Sequence, residues 1–341
     1  MILRYVLLRL GIAVLQLAAL AVVVFFLIRL LPADPVARLV GLNASPDSYA
    51  QSERALGLDR SLLEQFAVYL GLSDSGPGLL QGELGRSWVS GEPVAAELAR
   101  SLPLTIEVVS LALLVSLLIA VPVGLIGAAR PKGLVDRGAF VWGLFAGSQP
   151  DYWWGLLFIL LFAFTLGVAP APLGRLDPLL IPPESITGFI IIDSVLQARW
   201  DALASALHYL TLPVLTMVFT VSGAIVKMVR QNTARALQSE YVLYARACGL
   251  PESRIARYAL RAALTPTLTL IGIFFSVLLS AAVTVERVFS LNGVGQYSVR
   301  SILDFDYPAI QGAVLAVAVV ALLVYLLVDI LHAALDPRLR A

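Results

Sequence analysis

The chain has 341 residues, 59% of them apolar and only 14% charged, with a formal net charge of +1. Soluble domains average about 45–50% apolar and about 25% charged residues, so this composition excludes a soluble enzyme of this length and a disordered chain alike. The balanced charge carries no basic field for a nucleic-acid partner, and a single cysteine, Cys248, excludes an internal disulfide or a Cys-rich metal site.

A helix needs about 20 apolar residues to cross a hydrocarbon core of about 30 Å. In chain order, residues 10–28, 108–129, 209–226, 262–285 and 307–328 qualify; the first contains Gln16 and the other four contain no charge. These are expected to be helices, because lipid tolerates only backbone that satisfies its own hydrogen bonds. Arg4 and Arg9 precede the first apolar run as in a signal peptide. No small-x-small site follows, so the run is expected to be a retained first helix.

Residues 138–169 form an apolar stretch interrupted by Ser148-Gln149-Pro150-Asp151, which fits one kinked span or two short ones. Charge decides between them, since Lys and Arg loops stay inside. With a single kinked crossing, segments 1–9, 130–137, 227–261 and 329–341 share one face, holding 14 basic residues against the five acids Asp136, Glu240, Glu252, Asp329 and Asp336. Two crossings would put 130–137 and 227–261 on opposite faces. The expected fold is therefore an all-α polytopic membrane protein of about six transmembrane helices with both termini cytoplasmic.

The expected organisation is a first span (1–30), a small extracytoplasmic segment between the first two spans (31–102), and a core transmembrane domain (103–341) that carries a cytoplasmic loop, 231–262. The segment shows helical patterns at 55–58 and 62–72 and lies on the membrane as a cap, its apolar residues being few and local. A second outside segment, 170–208, is proline-rich, and its apolar run 189–192 is too short to span.

The loop at 231–262 is polar enough to leave the bilayer, yet reads as helix on both sides of Gly249-Leu250-Pro251. Gly249 stands at a helix C-terminus and Glu252 at a helix start. The expectation is a helix-turn-helix elbow with an apolar side (Tyr241, Ala245, Leu250, Ile255, Tyr258) and a basic one (Arg246, Arg254, Arg257, Arg261). A juxtamembrane basic segment drawn to anionic lipid fits the same composition.

Several passages carry a family resemblance: FLIRLLPADPV at 26–36, LGLDRSLLEQFAVYL at 56–70, GELGRSWVSGEPV at 82–94, ERVFSLNGVGQ, DFDYPAIQG and the closing LLVDILHAALDPRLR. Through them the whole chain resembles the membrane-spanning permease subunits of bacterial ATP-binding-cassette importers, in the dipeptide/oligopeptide and nickel branch. EYVLYARACGL looks like that family's coupling motif, an EAA triplet followed by three residues and Gly. Ala245 falls on the second alanine, while Tyr244 and Leu243 replace the first alanine and the acid, and Cys248 stands where a Lys is usual.

The resemblance implies an inner-membrane, multi-pass permease whose loop, through Glu240, Tyr241, Ala245, Arg246, Gly249, Leu250, Arg254 and Tyr258, docks on a cytoplasmic ATPase. It implies a homologous second permease subunit, two cassette ATPases that bind ATP and magnesium, an extracytoplasmic peptide-binding protein, and no cofactor on this chain. The lysines, Lys132 and Lys227, belong to no Gly-rich phosphate-cradling motif, so hydrolysis is expected on partner subunits. Nickel, haem or glutathione are alternative cargoes.

Ionisable groups at membrane depth are functional candidates by default. Asp151 leads, with Ser148, Gln149 and Trp154 lining a wet break in the helix; an interfacial aromatic anchor with Asp151 in water fits as well. Ser222 and Ser276 are further pathway candidates, and Glu286, Arg287 and the Gly293 turn are candidates for an outer gate. Glu107 is expected solvated at an outer helix end. His208 and His332 converge with no carboxylate, so neither a metal site nor a serine protease built on Ser148 and His208 is expected. A proton-coupled secondary transporter, which needs buried ionisable groups and repeated halves, is the rival of a different class.

Overall fold

A computed structural model describes residues 2–41, 44–73 and 76–335. Asp336, Arg338 and Arg340 of the inside charges, with the end of the closing motif, lie outside the described residues. The first helix, α1 (Ile2–Leu30), is followed by α2 (Pro35–Val40), α3 (Pro46–Leu56), α4 (Leu62–Leu70) and a 3-10 turn at Leu79–Gln81. Next come α5 (Val94–Ala129), α6 (Leu134–Ala146) and α7 (Asp151–Phe158), the last running into a π-helical stretch at Ile159–Thr165. The chain continues through α8 (Ile190–Leu196), α9 (Trp200–Leu237), α10 (Glu240–Ala247), α11 (Glu252–Val288), α12 (Val294–Leu303) and α13 (Tyr307–Leu335). Among the described residues the one β pairing is an isolated bridge between Arg86 and Pro93.

The fold is thus an all-helical membrane protein. Helical stretches Val6–Leu30, Val94–Ala129, Trp200–Leu237, Leu270–Val288 and Tyr307–His332 are long and apolar enough to span. Each contains or overlaps an expected span, but α5 starts at Val94 rather than 108 and α9 at Trp200 rather than 209. Helices outrun their apolar stretches because adding a residue to an existing helix needs one more i to i−4 bond and no new nucleus.

Packing divides the chain into two compact units: Thr105–Leu291 with the two ends of the chain, and Leu10–Leu104 with Asn292–Val320. In the first, α9 is the spine, packed by α6, α7, α8 and α11. Of its most apolar window 67% is buried, against 11% for Tyr307–His332, which makes it the most enclosed of the candidate spans. Pro213 sits inside α9 and withholds the N–H that would bond the carbonyl four residues back.

The chain from α6 onward runs antiparallel to α9 without doubling back. Asp136 pairs with Arg230, Gly143 lies against Gly223, Gly155 faces Thr216, and the Asp177 N–H bonds Ser205 Oγ. These contacts descend α9 from residue 230 to 205, about 37 Å at 1.5 Å per residue, a distance comparable to the hydrocarbon core. A hairpin would reverse the register halfway.

In the second unit, the segment between α1 and α5 packs on α1, α12 and the start of α13. Val24 and Ile28 meet Tyr307 and Ile310, and Val94 and Leu98 meet Val294, Ala309 and Ala313. Asp306, 3% exposed, caps α13 through the Ala309 N–H at 3.3 Å and accepts the Ser87 hydroxyl at 2.5 Å. Arg29 donates to Gln65 Oε1 at 2.8 Å and lies 3.6 Å from the Phe25 ring centroid. The helix expected at 55–58 instead ends there: Gly57, at φ +68°, closes α3, whose body lies to its N-terminal side. That helix buries no residue and so leaves little hydrophobic period to read. Helix α4 opens on a capping box of Ser61 and Glu64 and closes at Gly71.

A Cβ on Gly223 would stand 2.8 Å from the Gly143 Cα, which is backbone and cannot swing aside. Close approach through small residues is how helices bind each other in lipid. Gly223→Val is expected to destabilise the purified protein by about 1–3 kcal/mol, read as a lower melting temperature in detergent. Ser222→Ala on the same helix removes a buried hydroxyl that has no hydrogen-bond partner and should be neutral or stabilising; equal losses in both would show that this contact is not tight.

Candidate functional site

The elbow is built from α9, α10 and α11. Helix α9 stops at Leu237; the Ser239 hydroxyl turns back to the Ala236 carbonyl, and α10 starts at Glu240. After Ala247 the chain closes in a two-bond wrap: the Gly249 N–H bonds the Arg246 carbonyl at 2.9 Å and the Leu250 N–H bonds that of Ala245 at 3.1 Å. This is the Schellman geometry, which needs a left-handed residue where Gly249 has φ +75°. Pro251, extended at φ −66° and ψ 143°, then starts α11.

Across that turn Arg246 Nε donates to Glu252 Oε1 at 2.9 Å and Nη2 to Oε2 at 3.3 Å. The bond from Arg246 holds the Glu252 carboxyl below the usual range, and Glu252 raises the Arg246 guanidinium. The pair is therefore present at neutral pH and lost only when acid titrates the depressed carboxyl. Being exposed, it orients the turn more than it stabilises it.

The elbow's apolar residues divide differently from the expected single side. Val242 and Ile255, 1% and 0% exposed, face inward, while Tyr241, Leu243, Tyr244 and Tyr258 are exposed. The sequence does not single out Val242, because residues 241–244 are all apolar and have no unique helical phase. Glu240, Arg254 and Gly249 are exposed; Ala245 and Leu250 are half-buried. The Arg261 side chain lies outside the described residues.

The break between α6 and α7 gathers the next group. It lies one 13-residue helix, about 20 Å, from the start of α6. Ser148 and Gln149 are exposed and Asp151 is half-buried as the first residue of α7, where the helix dipole favours a carboxylate. The Ser148 hydroxyl donates to the Phe145 carbonyl at 2.7 Å, and Trp154 Nε1 donates to that of Ala146 at 3.3 Å. Trp154 is 3% exposed, its ring packed among Phe145, Trp153, Phe158 and Phe219. It holds the break together from inside rather than presenting an open surface. Ser222 is likewise buried, while the Ser276 hydroxyl donates to Tyr325 Oη at 3.1 Å.

The carboxylates of Glu107 and Glu286 are buried. Glu107 is 6% exposed rather than solvated: it accepts the Ile191 N–H at 2.8 Å and the Ile190 N–H at 3.3 Å. The first amides of α8 need acceptors, and a carboxylate from α5 supplies them. Nearby, burial works to raise the Asp193 carboxyl, but donors from Thr187 and Gly188 outweigh it and hold it low; Arg175, facing both acids, is lowered by burial. Glu286 is fully buried and accepts the Thr105 hydroxyl, tying α11 to α5, while its neighbour Arg287 is exposed. Gly293 is the residue before α12, in the other compact unit.

Comparison with known proteins follows this architecture along its length. The family described as the binding-protein-dependent transport system inner membrane component matches residues 120–341, and its N-terminal counterpart matches residues 2–111. The di/tripeptide transport system permease protein DppB of Pseudomonas aeruginosa is 36% identical over 97% of each chain. A probable D,D-dipeptide transport system permease protein, DdpB, of Escherichia coli is 37% identical over 96% of this chain and 94% of its own. The dipeptide transport system permease protein DppB of Escherichia coli is 31% identical over 99% of each. With an all-helical membrane fold and both parts of the family pattern present in order, the chain belongs to the inner-membrane permease components of binding-protein-dependent ATP-binding-cassette importers.

Proposed function

We propose that this chain forms half of the path by which an ATP-driven importer carries di- or oligopeptides inward, with α10 as the foot on which separate ATPase subunits push. The near-full-length likeness to three permeases named for di- or tripeptides carries the cargo class, and it favours peptide over nickel, haem or glutathione. Neither lysine lies in a phosphate-cradling motif, so ATP and magnesium belong to partner subunits. A second permease completes the path, and an extracytoplasmic binding protein supplies cargo.

The geometry gives this coupling a physical route. Helix α10 is eight residues long and is joined to α9 and α11 by two tight breaks, so a push on it cannot be absorbed by slack chain. Its exposed Tyr241, Leu243 and Tyr244 offer an apolar face to a groove. Displacement would tilt α9 and α11 together, since they pack along each other. Ser148, Gln149, Asp151 and Ser276 are the polar groups proposed for the path, with Trp154 and Ser222 supporting its wall; Glu286 and Arg287 act at the outer end. Six spans with both termini cytoplasmic fit the single traverse of 134–177 along α9 and the basic loops gathered on one face.

Coupling predicts that the purified complex hydrolyses ATP in a vanadate-sensitive manner, stimulated several-fold by peptide-loaded binding protein. Uptake abolished by an uncoupler but indifferent to ATP depletion would instead establish a secondary transporter. A Cβ at Gly249 meets nothing within 4 Å, so its constraint is the backbone alone. Gly249→Asn, which tolerates a left-handed conformation, should keep most transport, whereas Gly249→Val should lose at least about tenfold with normal membrane insertion. Equal transport by the two variants would remove the rigid foot. Cys248, exposed beside that glycine, should react with a membrane-impermeant thiol reagent in inverted vesicles and not in intact cells; the opposite result inverts the topology.

A further inference from the structure

Between α6 and α9 lies a cavity of about 840 Å³ that the transport reading does not use. One end is basic: Lys132, Arg137, Lys227 and Arg230 all line it, and these include both lysines of the chain. The remaining wall is apolar, formed by Phe140, Val141 and Leu144, each more than 60% exposed, over a floor where Gly143 touches Gly223. The one carboxylate present, Asp136, is already engaged: it accepts the Lys132 backbone N–H at 2.8 Å and Arg230 Nη2 at 3.0 Å. Among the described residues Lys132, Arg137 and Lys227 have no ion-pair partner, which leaves three positive charges uncompensated. Lys227 and Arg230 stand one turn apart on α9, and Lys132 is presented from the turn that Asp136 holds in a left-handed conformation, φ 64°.

We infer that this cavity is a site for an anionic glycerophospholipid, its phosphate between Lys132 and Lys227 and an acyl chain along Phe140, Val141 and Leu144. The occupant follows from the two ends together. Three unpaired cations where apolar helices end call for an anion, and a soluble anion would leave the apolar groove without a use. A lipid of the surrounding leaflet satisfies both ends at once, as basic pockets at the ends of spanning helices do. Bound there, it would fill the groove beside the Gly143–Gly223 contact and brace α6 against the spine.

The test uses the importer complex purified with its partner subunits, comparing phosphatidylglycerol with phosphatidylcholine for retention by native mass spectrometry. Preference for phosphatidylglycerol should fall on the order of 30-fold in the Lys132→Gln/Lys227→Gln double variant, and persist in Lys132→Arg/Lys227→Arg and in the distant control Arg54→Gln. Phosphatidylglycerol should also raise the melting temperature of the parent complex while glycerol 3-phosphate does not. Unchanged preference in the Gln variant overturns the site. So does equal stabilisation by glycerol 3-phosphate, which would mark a soluble-anion site, or loss of the second permease with lipid retention unchanged, which would mark a subunit interface.

Discussion

Backbone inside hydrocarbon has no water to bond to, and every departure from regular helix must be answered locally. The π-helical stretch that ends at Thr165 shows the rule: amides of Leu166, Val168 and Ala169 reach back to carbonyls of Leu161 and Phe162, and the Thr165 hydroxyl bonds the Leu160 carbonyl. At the break before α7 the donors are the Ser148 amide and hydroxyl and the Trp154 indole. A polar interruption that looks like a site is thus also a repair of the backbone. The same side chains can serve both ends only where they remain accessible, as Ser148 does and Trp154 does not.

The spine helix concentrates the consequences of this rule. Because the apolar middle of α9 is largely buried, α6, α7 and α11 each gain their position from it, and α11 is joined to it a second time through α10. A foot rigidly bonded to two mutually packed helices moves them as one body. That is the mechanical content of the proposed coupling, and it rests on two backbone hydrogen bonds around Gly249 rather than on any particular side chain. The departures from the family's EAA pattern at Leu243 and Tyr244 fall on exposed surface and leave the packing of the elbow untouched.

The buried carboxylates illustrate a second economy. Glu107 serves the first amides of α8, Asp306 the start of α13, and Asp136 an arginine on the spine. Each of these ionisable groups is occupied in holding elements together. Lys132 and Lys227 are the contrast, cations beside an apolar groove that have no ion-pair partner among the described residues.

Hydropathy and charge alone determined the class, the five full-length spans and the place of the elbow, because a 20-residue apolar run and a Gly-Leu-Pro break are local facts with few structural solutions. The extents of α3, α5 and α9 were not legible, since helix continues into polar sequence wherever nothing interrupts it. Which side of the elbow is buried was decided only by packing: Tyr241 and Val242 are both apolar, and of the two Val242 is buried. The same holds for Glu107, whose burial depends on α8, more than 80 residues away in the chain. Long-range pairing of a charge with the amides that satisfy it leaves no periodic trace, so only the tertiary structure could reveal it.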